Sequence, residues 1–169
     1  MYNVGDKIFY PLHGAGVINS IEEKNILNEV SKYYIIEMPG GVTVMLPVDK
    51  SEELGLRSII SKEKAESIIN NFTEINPEQT DKWSTRFQEN KDKMKTGDVD
   101  QITDIYKNLT LRNKVKNLST SEKKMLMNAK QSLISELSFA LNKSSDELEK
   151  FLDDKLLTFY NDNLANKND

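Results

Sequence analysis

The stretch DKWSTRF, residues 81–87, holds the one tryptophan of the chain, Trp83, among charged and hydroxyl-bearing neighbours. An indole presented beside cations can stack on a nucleic-acid base or wedge against one. Cations are plentiful nearby. Lys82, Arg86 and Lys93 fall on one predicted helix, Arg112, Lys114 and Lys116 at the end of the next, and Lys123, Lys124 and Lys130 on a third. Lys and Arg spread over helices reach several phosphates of a duplex, which orients a protein without reading sequence. A plainer reading competes. Trp83, Phe87 and Met94 sit at i, i+4 and i+11, so they share a helix face, and periodicity alone favours a core position for Trp83.

Other chemistry is sparse. HGAG at 13–16 lacks the spacing of a dinucleotide fingerprint and the lysine of a phosphate loop, and reads as a tight turn between strands. His13 has no nucleophile or acid beside it and reads as structural. Glu22-Glu23 and Asp153-Asp154 are adjacent pairs whose side chains diverge, as on solvated faces. With one histidine and no cysteine, disulfides and thiolate metal sites are excluded. The expectation is a non-enzymatic binding protein with no cofactor, no metal and no small-molecule ligand.

Charge is segregated along the 169 residues, although the net charge is only −4. Residues 82–131 carry 12 Lys and Arg against 6 Asp and Glu, while residues 1–72 carry 7 against 10 and residues 132–169 carry 4 against 8. A basic block between acidic flanks suits a surface that faces a polyanion, or a solvated helix face. The start MYNVGDKIFY has neither a basic nor an apolar leader segment, and no apolar run is long enough to span a membrane. A cytoplasmic protein is expected.

Two periods position these groups. Over residues 4–48, DKIFYP, AGVINSIEE, KYYIIEM and VTVMLPV read as strands separated by turn signals at Pro11 to Gly16, Asn25 to Asn28 and Pro39-Gly40-Gly41. They predict a small antiparallel barrel or strongly bent sheet, whose exposed edge could take a partner chain. From residue 61 the period is helical. Ser61 is a candidate N-cap for the helix carrying Ala65, Ile68, Ile69 and Phe72; Pro77 suits the start of the next, which Gly97 closes. Asp98 opens a helix with Val99, Ile102, Tyr106 and Leu109 on one face. Ser119 with Glu122, and Ser144 with Glu147, have capping-box spacing ahead of two further apolar-faced helices. The organisation expected is an α+β chain: a β domain at 1–50, a connector with a helix at 51–77, an all-α bundle at 78–160 and a disordered tail at 161–169.

VGDKIFYPLHGAGVINSIEE and YYIIEMPGGVTVMLPVD resemble the N-terminal domain of the CarD/CdnL family of bacterial transcription regulators. LGLRSIISKEKAE resembles its connector, and the run from KWSTRF to SFAL its helical domain. The likeness extends from Val4 to Leu157 and includes GDV, LSxxEKxML and AxQxLxxELxxAL in order. It implies a Tudor-like β domain that binds the RNA polymerase β subunit by sheet-edge contact, a module shared with the transcription-repair coupling factor. It implies a helical domain lying on promoter DNA at the upstream edge of the bubble, largely without sequence preference. There the Trp matched by Trp83 enters the minor groove and stabilises the open complex, with Phe87 and Met94 filling the inner face of its helix. Phosphate contact would rest on Arg86, Lys123, Lys124 and Lys130, and polymerase contact on Lys24 and the position of Met45. Thr85 and Gln88 stand where some members carry positive charge, which implies feeble DNA binding alone. The alternative is a protein–protein adaptor whose basic helices contact protein rather than DNA.

Overall fold

The structure, a computed structural model, describes residues 1–77 and 80–165. Five strands come first: β1 (Lys7–Tyr10), β2 (Gly14–Ile26), β3 (Glu29–Glu37), β4 (Thr43–Pro47) and β5 (Arg57–Ser58). Five helices follow: α1 (Lys62–Asn70), α2 (Trp83–Thr96), α3 (Val99–Val115), α4 (Thr120–Leu141) and α5 (Ser145–Asn163). The strands form one antiparallel sheet in the order β4-β3-β2-β1-β5. Of the two shapes expected, it is the bent sheet, with β4 and β5 as edges. Leu27 and Asn28 supply the two positive φ angles, 52° and 65°, that let β2 turn tightly into β3. A register shift between Ile18 and Ser20 bends β2. Ile8, Ile18, Tyr34, Ile36, Met38, Leu46 and Leu56 form the core of the sheet.

The sheet does not end at the expected boundary of residue 50. β5 pairs with β1 through Ile8↔Ser58 and Phe9↔Arg57, and Leu56 is buried in the sheet core. Residues 51–58 therefore belong to the β domain. The strand is short and charged, so its sequence carries almost no periodic signal.

The helix starts follow from their caps. The side chains of Ser61, Asp98, Ser119 and Ser144 each accept a hydrogen bond from the backbone N–H three residues on. Gly97 closes α2 in the left-handed conformation, φ 70°. Two expectations shift. α2 begins at Trp83 rather than near Pro77; Glu78 and Gln79 lie outside the described residues. α5 continues through Asn163, so the tail expected from Asn161 is helical at its start, and residues 166–169 lie outside the described residues.

Helices and sheet share a core. Phe9 and Ala15 of the sheet are buried with Met94, Ile102, Tyr106, Leu109, Ala129, Leu133, Leu137, Leu152 and Leu156. HGAG is thus more than the turn expected of it, because it docks β2 onto α4. The Ala15 N–H donates to Ser135 Oγ at 3.0 Å. Gly14 has φ 95°, and a Cβ there would lie 2.8 Å from Ser135 Oγ. A Cβ on Gly16 would lie 2.4 Å from the Glu37 carbonyl oxygen. Larger side chains at either position would push the sheet off the helix or split β2 from β3. No described helix is long and apolar enough to cross a membrane.

Candidate nucleic-acid interface

Trp83 is the first residue of α2 and is 46 % exposed. The buried face of α2 is Arg86, Asn90 and Met94. Trp83 lies one turn before that stripe begins, at the exposed start of the helix. Two contacts hold its ring. The indole lies flat on Phe87, with centroids 5.6 Å apart and planes 9° from parallel. Its Nε1–H donates to Ser119 Oγ at 3.0 Å. Ser119 is also the N-cap of α4, accepting from the Glu122 N–H at 3.2 Å. One hydroxyl therefore starts α4 and fixes the edge of the indole, leaving a ring that is oriented yet open to solvent. Of the pair expected to fill the inner face, Met94 is buried, while Phe87 is half-buried beneath Trp83.

Arg86 does not lie where a phosphate contact requires. It is only 6 % exposed. Its Nη2 donates to Glu122 Oε1 at 2.7 Å, its Nε to Glu122 Oε2 at 3.3 Å, and its Nη1 to the Asp81 carbonyl at 3.0 Å. Glu122 is itself 1 % exposed. The second half of the expected Ser119–Glu122 capping box is thus absent, since the carboxylate that would return to the cap is held by Arg86. Arg86 instead positions α2 against α4, immediately below Trp83.

Lys130 is likewise occupied. Its ammonium lies 2.7 Å from Asp153 and 2.9 Å from Glu149, both on α5. Burial pulls it down, but the hydrogen bonds and negative charges of the two carboxylates together outweigh the burial and hold it above the ordinary lysine value. Tyr106 donates a hydrogen bond to Asp153, and burial together with that carboxylate drives the phenol far above its usual range. The group clasps α5 to α3 and α4 and is not a free cation.

Lys123 and Lys124 are exposed, and neither has an ion-pair partner among the described residues. Lys123 stands one helical turn beyond Ser119, on the stripe of α4 that meets the indole. Lys82, next to Trp83, and Lys116, ahead of the α4 cap, are also exposed. Arg112 is tied toward Asp81 at 3.6 Å. Thr85 and Gln88 are exposed on α2, and Gln88 donates to Asp92. The open basic groups around Trp83 are therefore fewer than the charge count along the sequence.

The residues matched to polymerase contact lie in the sheet, on β2 and β4. Met45 is 45 % exposed on β4, which among the described residues pairs only with β3 and so leaves one backbone edge open. Lys24, near the end of the β2–β3 hairpin, makes an exposed 2.9 Å pair with Glu22, and that hydrogen bond lowers the Glu22 carboxyl below its ordinary value. An exposed pair of this kind contributes little by itself and exchanges readily for an incoming carboxylate. No group of three or more His, Asp and Glu among the described residues could hold a metal.

Residues 2–60 match the family model for the CarD-like/TRCF RID domain, and residues 67–153 match that for the CarD C-terminal domain. The chain belongs to the CarD-like family. It is also 36 % identical over 152 residues to the Bacillus subtilis (strain 168) protein named "Putative transcription factor YdeB", covering 89 % of this chain and 99 % of that one. The first match ends just past β5, in keeping with a CarD-like N-terminal domain that includes Leu56 and Arg57.

The sequence marks some of these residues and hides others. Ser119 and Glu122 stand out as a cap, but nothing local says that they also hold Trp83 and Arg86 from a helix 36 residues away. Arg57, which reaches Glu136 and Gly97, carries no sequence signal at all.

Proposed function

We propose that this chain is a transcription regulator that binds the RNA polymerase β subunit through its β domain. Its helical domain acts on promoter DNA at the upstream edge of the bubble. The observation that carries the reading is Trp83: an exposed indole, oriented by Phe87 and Ser119, beside the free cations Lys123 and Lys124. A flat ring fixed at a helix terminus can prop a minor groove without first ordering itself, and the lysines supply phosphate contacts that position it. Because Arg86 and Lys130 are internally paired, phosphate contact is sparse, and DNA affinity relies on polymerase to hold the chain near the fork. The open edge of β4 with Met45, and Lys24 on β2, form the polymerase-facing surface.

Decay of the promoter open complex, measured with and without the protein and with Trp83→Ala, tests this. The wild-type chain lengthens the lifetime. Trp83→Ala returns it toward the value without the protein, although polymerase is still bound. Upstream footprinting with polymerase separates the alternative adaptor role, which would add no upstream protection. A wild-type lifetime with Trp83→Ala removes the wedge.

A further inference from the structure

Arg57 sits at the meeting point of both halves of the molecule. It lies on β5, the strand that hydrogen-bonds to β1. Its guanidinium lies over the Phe9 ring, 4.1 Å from the centroid. Its Nη1 and Nη2 donate to the two carboxylate oxygens of Glu136 at 2.7 and 2.9 Å, and Nε and Nη2 donate to the Gly97 carbonyl at 3.0 and 2.8 Å. Glu136 lies on α4, is fully buried, and accepts in addition from the Ile60 N–H at 3.0 Å. Gly97 is the C-cap of α2, the helix whose first residue is Trp83.

α2 is therefore held against α4 at two points by carboxylates on one face of α4. Glu122 grips Arg86 near Trp83, and Glu136, four turns on, grips Arg57 at the far end. Fourteen residues of helix separate the two carboxylates, about 21 Å at 1.5 Å per residue. The first pair is internal to the helical domain. The second is supplied by the β domain. A bidentate guanidinium that also binds a helix-terminal carbonyl leaves little freedom of rotation at the joint.

We infer that Arg57 is a positioning residue that makes the sheet and α2 one rigid lever. The sheet edge engaged by polymerase then fixes where Trp83 stands on DNA. This rests on the function proposed above. A rigid link keeps the effective concentration of Trp83 at the fork high, and a loose one lowers it without removing any contact to either partner.

The test uses Glu136→Gln, which preserves shape and can still accept from Ile60, and Arg57→Lys, which keeps the charge but loses the fork. The chain lacks cysteine, so Leu27→Cys and Lys91→Cys, both exposed and outside the interface, carry spin labels. The wild-type background gives one narrow label–label distance distribution, and both variants broaden it. Each variant should still bind polymerase normally. The concentration giving half-maximal open-complex stabilisation should rise roughly tenfold or more, as expected when avidity is relaxed. A distribution that stays narrow overturns the inference, with or without a functional loss. Broadening with no rise in the half-maximal concentration overturns it as well. Trp83→Ala is run in parallel. If that change is silent, the proposed function fails, and the distance distribution by itself decides whether Arg57 joins the domains.

Discussion

Trp83 and Arg86 are one helical turn apart and have opposite fates, although both belong to the same DKWSTRF stretch. The indole is stacked and tethered but half open, so Trp83→Ala should cost about 1–2 kcal/mol, the combined scale of one aromatic pair and one exposed hydrogen bond. Arg86→Ala should cost about 3–5 kcal/mol, because Glu122 is left charged and buried with no guanidinium. Chemical denaturation of the two variants checks the order, and a larger loss for Trp83→Ala would return it to the core. The charge pattern made Arg86 and Lys130 look like phosphate contacts. Their carboxylate partners are 36 and 23 positions away, and local charge counting cannot see such pairs. Lys123 and Lys124, expected as phosphate contacts, are exposed on α4, whose apolar face points away from them.

α4 carries polar ties to four other elements: Ser119 and Glu122 meet α2, Ser135 meets β2, Glu136 meets β5, and Lys130 meets α5. Its apolar stripe and cap were legible from helical spacing, whereas its polar cross-ties were not, since each joins a residue distant in sequence. At its exposed N-terminal end, Lys123→Ala with Lys124→Ala should lower the salt slope of DNA engagement by roughly one to two units, without changing sequence preference. A slope equal to the wild type removes both from the interface. Where α4 meets the sheet, Gly14→Ala should cost at least about 1–3 kcal/mol from its strained φ alone, before the clash with Ser135. Thermal melting reads that loss. The α5 clasp adds a pH dependence. Tyr106 and Lys130 both hold their protons more tightly in the folded chain than in the unfolded one. Their contributions are full below about pH 10, the ordinary range of both groups, and fade as pH rises beyond it. Lys107, pulled down chiefly by burial, works in the opposite direction and blunts the fall. Tyr106→Phe should flatten the alkaline side of the stability–pH curve. A curve that stays as steep places the loss elsewhere.

Across the whole molecule the division into a sheet and a bundle was legible, because the period changes from two to 3.6 between residues 48 and 61. The boundary between them was not. β5 is two residues long, and its pairing with β1 is a tertiary fact. That difference has a direct consequence for dissection. A fragment ending at Lys50 lacks Leu56, which is buried in the sheet core, and exposes the free edge of β1 along Ile8 and Phe9. A fragment ending at residue 60 keeps both, and loses only what the helices bury, chiefly Phe9 and Ala15. Losing one buried leucine costs about 2–5 kcal/mol, a large share of the stability of a domain this small. The 1–60 fragment should therefore fold, with dispersed backbone amide signals, and should pull down the polymerase β subunit. The 1–50 fragment should do neither. Met45→Glu in the 1–60 fragment should leave the fold intact, since that side chain is exposed on the edge strand, and should weaken the pull-down. A folded 1–60 fragment that fails to capture the β subunit would show that the sheet edge is not sufficient for polymerase binding, and would move that contact onto a surface the helices help to build.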